Sequence, residues 1–539
     1  MKQDLNKLKQ PNSDSRESIN SSVKKMAVGT LVSRILGLVR ILVIGYALGI
    51  GHTDDAYNLA NTTPNILHDL VLGGILSATF VPIFTKKLST LSSKDAWEQI
   101  SSVVTLAGIV LITATVLFEI LAPVIISVYT IGTKTDFNPA TKNLAIELLR
   151  FFLPQIMFYG FVGISGALLN CVGKFSPITN SPIYGNIVSI LILLEVTLIS
   201  KNSATFDLAS NNKLLFLLGI GTTAGIAVQF LSIVPSLVKS HIPLRFNFNF
   251  RSQAIREILQ MSAWSFGFVV VNQIALFVVL ALTASAAVGS VTAYTFGFTF
   301  FQLPYWLFAV SIATAVAPKI SHFYVLKNLE RTKSLVLKSL NTTVGIMLPI
   351  SAFYLVVATP MISTLFEHGA TTSAGVILTA DTLKMFSVGL LGYSLFMLTV
   401  RILLSMQQAK HVFFIYLFEN ILNIILAFIF INRLGVKGIA LSIAIAYTTS
   451  AILGIGILIV KLNGINMTSF IKTLFKSLMV SFAVGVGSAV ASLVYPNNSF
   501  YDNFADTLFG FLAAVAILFI LGSLFSNKSN KFARTTNKL

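Results

Sequence analysis

The chain has very little of what soluble chemistry uses. It holds one cysteine, Cys171, and six histidines in 539 residues. A single thiol excludes a disulfide framework and a cysteine-based metal cluster within one chain. No histidine pair stands at metal-ligand spacing, and no Gly-rich loop of the Walker type is present. Charge is equally scarce. Charged residues make up 11% and hydrophobic residues 55%, where an ordinary soluble domain carries roughly 25% charged residues. That excludes a soluble enzyme of this size, a disordered protein and a fibrous one. Acids are fewest: 20 Asp+Glu stand against 38 Lys+Arg, for a net charge of +18. In a soluble protein that excess would suggest nucleic acid. Here the basic residues fall between apolar segments.

Those segments are what the sequence does have. A spanning helix needs about 20 apolar residues. About fourteen such stretches run near 26–50, 55–84, 100–127, 145–172, 183–200, 214–237, 259–284, 290–317, 338–360, 380–406, 412–432, 438–460, 470–494 and 505–526. The expected fold is therefore an all-α integral membrane protein. Residues 1–22 are polar and lack an apolar core, so they read as a disordered cytoplasmic tail, and residues 527–539 as a basic one.

An even number of spans places both termini on one side, and the positive-inside rule selects which. With the N-terminus inside, the inside loops hold Lys86 and Lys87, Lys239 to Arg256, Lys319 to Lys338 and Lys461 to Lys476. The loops near 51–55, 285–290 and 496–506 hold no Lys or Arg. Both termini are expected in the cytoplasm of a multi-pass cell-membrane protein. The positive charge thus reports orientation, and no nucleic-acid partner is expected. Short loops leave no room for a soluble catalytic domain. A transporter, a channel or an enzyme working between helices remains.

Polar residues inside spans cost energy and point to function. Arg34 and Arg40 lie in the first span, about 120° apart around the helix and about 9 Å along it. Both can line a wide cavity. In the second span Asp54, Asn58, Asn61, Asn65 and Asp69 recur at helical spacing, on one face. That face is expected to line an aqueous path from the outside, because lipid does not tolerate it. Glu419 and Asn423 stand i, i+4 in mid-span and are candidates to hold a coupling cation or proton. Arg401 lies in the inner third of the tenth span. A weak internal echo pairs Ala56-Tyr57 through Pro82 with Ala293-Tyr294 through Pro318, six spans apart. It implies two lobes.

At this point particular stretches resemble a known family. SRILGLVR at Ser33–Arg40, DDAYNLANTTPNILHDLVLGGILSATFVPIF at Asp54–Phe84, the stretch Leu153–Val188, and QLPYWLFAVSIATAVAPKIS at Gln302–Ser321 are similar to the MurJ/MviN lipid II flippases. The form of the second stretch resembles an actinobacterial-like branch. The resemblance implies two six-helix lobes plus two C-terminal helices, divided here as 23–250, 251–465 and 466–526. It implies a cationic central cavity and outward movement of undecaprenyl-pyrophosphate-linked disaccharide-pentapeptide by alternating access, for peptidoglycan synthesis. The implied partners are lipid II, membrane lipids and, as a further candidate, the cell-wall synthesis machinery. No cofactor is implied beyond a coupling cation or proton and the membrane potential. Members carry an Asp where this chain has Ile41, an Arg where it has His68, a Glu where it has Gly73 and an Arg where it has Thr299. Of the cationic set Arg34 and Arg40 match outright; either His68 and Arg401 share the role, or the pyrophosphate is bound with fewer charges.

Two other readings stay open from the residues. A polysaccharide-unit or drug exporter would share the fold, but drug exporters favour acidic cavities, against Arg34 and Arg40. A membrane-embedded glycosyl or lipid transferase would need an outer carboxylate and a large loop. Asp54 and Asp55 are the only clustered acids for it.

Overall fold

The computed structural model describes residues 13–73, 79–131, 138–201, 211–494 and 499–517. Among them, twelve helices are long and apolar enough to cross a membrane, or thirteen with the bent pair Ser373–Val388 and Leu390–Ser405 taken as one span, its halves at 53°. The remaining expected span, 55–84, is interrupted: α2 (His52–His68) passes into a π-helical turn (Asp69–Gly73), and α3 (Val81–Thr90) follows. Residues 74–78 between them lie outside the described residues. The expected fourteen thus agree in outline with what is seen. The expected basic tail, 527–539, also lies outside them.

The first helix, α1 (Ser13–Leu48), starts earlier than expected. Ten residues assigned above to a polar tail are its first turns. Extending an existing helix avoids the cost of nucleation, so a polar segment joined to an apolar helix propagates it.

The described chain divides into two compact units. The first takes residues up to Ala47, Ala60–Ile126 and Asn143–Val270. Its helices are most of α1, the lower part of α2, α3, most of α4 (Ser93–Tyr129), most of α5 (Pro139–Phe152), α6 (Gln155–Cys171), α7 (Ser176–Lys201), α8 (Asn212–Leu231) and the short α9 (Val234–Val238). Gly185 on α7 and Gly225 on α8 let two backbones meet: a Cβ on Gly185 would stand 3.0 Å from the Gly225 carbonyl. Close approach of small residues is how helices associate where no hydrophobic force separates them from lipid. The unit is also tied by charge. Lys87 Nζ donates to Glu257 Oε1 at 2.9 Å and Lys86 Nζ to Oε2 at 3.1 Å.

The second unit takes Leu48–Leu59, Ser127–Lys142 and the residues from Val271 on. The division between the two units falls within α10 (Gln253–Ala284), at 270/271. The unit continues with α11 (Ser290–Pro304), a π-helical turn (Tyr305–Ala309) and α12 (Val310–Val325). Next come α13 (Leu329–Phe366), α14 (Ser373–Val388), α15 (Leu390–Ser405), α16 (Ala409–Leu434) and α17 (Val436–Lys461). The last are α18 (Met467–Val494) and α19 (Phe500–Ile517). Its core is aromatic. Phe296 stacks on Phe366 at 4.9 Å between ring centres, and Phe301 on Phe386 at 5.4 Å. The internal echo has a structural counterpart: α2 and α11 each end in a π-helical turn at corresponding places. Such turns widen the helix locally and often occur at functional sites.

Candidate functional site

On α1, Arg34 is exposed and Arg40 half-buried, and both belong to the first unit. The Asn186 side chain on α7 donates to the Ser33 carbonyl at 3.2 Å, which fixes α1 beside Arg34. Arg40 Nε is buried without a hydrogen-bond partner among the described residues. A guanidinium with an unused donor suits an anionic ligand, because its planar fork matches phosphate oxygens.

The polar stripe of α2 does not face water along its length. Asp54 and Asn58 are buried, Asn61 is half-buried and Asn65 is exposed. The expected aqueous path therefore does not run past Asp54 and Asn58 in this structure. The upper stripe is used for packing in the second unit. Asn58 Nδ2 donates to Asp54 Oδ1 at 2.8 Å and to Thr292 Oγ1 at 3.3 Å. The neighbouring Asp55 caps α11. The Gly289 N–H donates to Asp55 Oδ2 at 2.7 Å, and the Thr292 N–H and hydroxyl donate to Oδ1 at 2.9 and 2.8 Å. Gly289 has φ +82°, a backbone state that suits glycine. The signal for this cap was in the sequence: α11 opens without a capping side chain of its own. Its partner lies 234 residues away, which no local pattern discloses.

At the foot of α2, His68 Nδ1 lies 3.0 Å from Asp69 Oδ1, and its ring is tilted against Tyr159 at 6.0 Å. The His68 Nε2 is buried without a hydrogen-bond partner among the described residues. Arg401 is exposed on α15, and it does not line the cavity of the second unit.

That cavity, of about 190 Å³, brings together residues from α10, α11, α15, α16 and α17. Glu419 projects into it, 1% exposed, with Oε2 unpartnered among the described residues. Asn423 lines it as well, its Oδ1 accepting from Ser442 Oγ at 2.9 Å. The two residues paired by spacing thus share one chamber. Sequence reasoning missed its other walls. Tyr294, Tyr393, Tyr416 and Tyr447 surround Glu419, and Gln302 Nε2 donates to the Tyr393 hydroxyl at 3.0 Å. Asn272 on α10 completes the polar lining. One carboxylate among neutral oxygens suits a proton or a singly charged hard cation. No group of three or more His, Cys, Asp or Glu able to hold a metal occurs among the described residues.

Two compact helical units, interrupted spans and a buried carboxylate chamber define a multi-pass transporter. The fold is shared with an inward-facing multidrug resistance MATE family transporter of the MOP superfamily, at TM-score 0.64 and 18% identity over 81% of this chain and 98% of that one. A family model described as "Lipid II flippase MurJ" matches residues 44–509, and the chain belongs to that family. It is 27% identical to the lipid II flippase MurJ of Thermosipho africanus over 93% of this chain and 94% of the relative. It is 28% identical to the probable lipid II flippase MurJ of Haemophilus influenzae, over 71% of this chain and 75% of that one. The solved structure of a lipid II flippase MurJ in an inward closed conformation matches with TM-score 0.75, at 26% identity over 93% of this chain and 99% of that one.

Proposed function

We propose that the protein moves lipid II, the undecaprenyl-pyrophosphate-linked disaccharide-pentapeptide, from the inner to the outer leaflet for peptidoglycan synthesis. The observation that carries this is the family match across residues 44–509. The protein is a transporter, not an enzyme. Arg34 and Arg40 on α1 are the residues we assign to the pyrophosphate, with His68 as a further polar contact on α2. Arg401, exposed on α15, is a candidate for the same cationic role. Asn61 and Asn65 carry the accessible part of the α2 stripe.

Transport runs by alternating access and needs no nucleotide. Glu419 with Asn423 is the site assigned to a coupling cation or proton, driven by the ion gradient or the membrane potential. This chamber is lined by aromatic side chains, so a charge placed there is felt strongly by its neighbours. Both termini lie in the cytoplasm of a cell-membrane protein, which the basic bias of the loops supports. Membrane lipids and the cell-wall synthesis machinery are the remaining partners of this reading.

The test is depletion in the host followed by an assay of lipid II exposed on the outer leaflet. Loss of exposure, with intracellular lipid II accumulating, is expected. Normal exposure in depleted cells would remove the assignment. For orientation, single cysteines at Ser22 and Ser526, with Cys171→Ser, should be labelled only in permeabilised cells.

A further inference from the structure

Between α9 and α10 the chain reads Leu244-Arg245-Phe246-Asn247-Phe248-Asn249-Phe250, aromatic and polar residues alternating. The segment is held against the first turns of α4. The Arg245 N–H donates to Ser101 Oγ at 3.2 Å and the Asn247 N–H to Thr105 Oγ1 at 3.1 Å. The Asn247 side chain donates to the Glu98 carbonyl at 3.1 Å. Two extended residues cover about 6.6 Å. The four helix residues from Ser101 to Thr105 rise about 6 Å. The segment therefore runs along the α4 axis, toward the middle of the membrane. Its asparagines face a polar groove that Asp95, Glu98 and Ser102 also line. Its phenylalanines do not line that groove: Phe246, Phe248 and Phe250 are 89%, 65% and 44% exposed.

The depth of this face follows from α4. Its exposed apolar residues begin at Ile109 and continue through Ile112, Val116, Ile120 and Val124 to Val128. The nineteen steps from Ile109 to Val128 at about 1.5 Å each span about 28 Å, close to the roughly 30 Å of a hydrocarbon core. Ile109 thus marks the hydrocarbon boundary. Thr105, which holds Asn247, lies about 6 Å outside it, in the headgroup layer. Exposed Arg245 immediately precedes Phe246, and exposed Lys239 and Arg256 flank the segment in sequence, while Arg251 lines the groove. The nearby acids Asp95 and Glu98 sit on the groove side instead.

We infer that Phe246, Phe248 and Phe250 form an aromatic wedge that inserts into the headgroup–acyl boundary of the leaflet beside the start of α4, with Arg245 on a lipid phosphate. The occupant of this exposed face is the bilayer itself. Exposed aromatic rings with a cation beside them match the interface, where apolar groups enter by about 5–10 Å and basic groups meet phosphate. The lipid-facing band of α4 continues directly into it. The wedge fixes the loop that leads into α10 at a set depth.

The test uses the full chain with Cys171→Ser, in nanodiscs of phosphatidylethanolamine and phosphatidylglycerol. A nitroxide is placed singly by Phe246→Cys, Phe248→Cys, Val116→Cys or Glu330→Cys. Val116 is the lipid-facing reference and Glu330, an exposed residue on the first turn of α13, the aqueous one. Collision with oxygen and with a water-soluble nickel chelate is measured at each. At positions 246 and 248 oxygen access should exceed nickel access, giving values between the two references. Values equal to those at Glu330 would overturn the inference and leave the face to a soluble protein partner. Because a label could disturb the loop, unlabelled Phe248→Trp is read in parallel. Quenching of its added fluorescence by lipids brominated near the acyl carbonyl is expected, and no such quenching would overturn the wedge independently.

Discussion

The carboxylate of Asp55 and the first turn of α11 at Thr292 form one closed polar unit, 237 residues apart in sequence. Three donors converge on it, the Gly289 N–H and the N–H and hydroxyl of Thr292. A negative group at a helix N-terminus is favoured by unpaired N–H groups and by the helix dipole. Burial makes the arrangement obligatory, since each donor left without an acceptor costs about 1–3 kcal/mol. Asp55→Ala should lower thermal stability measurably and reduce flipping together with it. Asp55→Asn keeps one acceptor and should fall between. An Asp55→Ala protein with wild-type melting temperature would refute a structural role for the cap.

Arg40→Ala should abolish flipping while membrane abundance stays near normal. Losing a charge-assisted bond to phosphate costs about 1.5–3 kcal/mol, roughly ten- to a hundred-fold in affinity. Arg40→Lys should bind more weakly than the native chain, because the planar fork is lost. Lipid II binding measured on purified protein separates this from a folding defect. Native affinity in Arg40→Ala would end the assignment.

Glu419→Gln keeps the shape of the chamber side chain and removes its titrating group. Transport should lose its dependence on the ion or proton gradient, with little change in melting temperature. Flipping measured against imposed gradients decides the matter. An unchanged gradient dependence would make Glu419 a packing residue.

Single cysteines along α2 should divide in two. Asn61→Cys and Asn65→Cys should react with small hydrophilic thiol reagents, whereas Asp54→Cys and Asn58→Cys should react slowly in the state seen here. Rapid labelling at Asn58 would mean that the buried network opens widely in the membrane.

Glu257 carries a prediction in pH. Hydrogen bonds from Lys87 and then Lys86 hold its carboxyl below the ordinary carboxylate range. A lowered folded value means that the pair stabilises fully above the unfolded carboxylate value, about 4.3. The contribution disappears as pH falls through the folded value. The pair's contribution to melting temperature should stay constant between about pH 6 and 8 and should fall on the acid side. Glu257→Gln should destabilise near neutral pH by about 1–3 kcal/mol, because the buried Lys87 loses its charged partner. Lys86→Gln should cost about 0–1 kcal/mol, since Lys86 is exposed. Equal effects of the two would contradict this assignment.

The sequence by itself determined that the protein is helical and spans a membrane many times. Apolar length and the distribution of Lys and Arg are local quantities, and the bilayer reads them segment by segment. The pairing of Glu419 with Asn423 was equally legible, since an i, i+4 spacing already places both on one helix face. The echo between α2 and α11 could be read as matching dipeptides, and their π-helical turns share its register. What only the tertiary structure decided was which polar groups meet. The α2 stripe looked uniform from Asp54 to Asp69. Yet α11 takes its upper part into a buried cap and leaves Asn61 and Asn65 open. The tyrosines and Gln302 that close around Glu419 come from helices distant in the chain, as does the α4 surface that holds the Phe246–Phe250 segment at its depth. Helical periodicity fixes which side chains share a face. The packing of other helices determines what that face meets, and that contact sets whether a carboxylate caps, couples or binds.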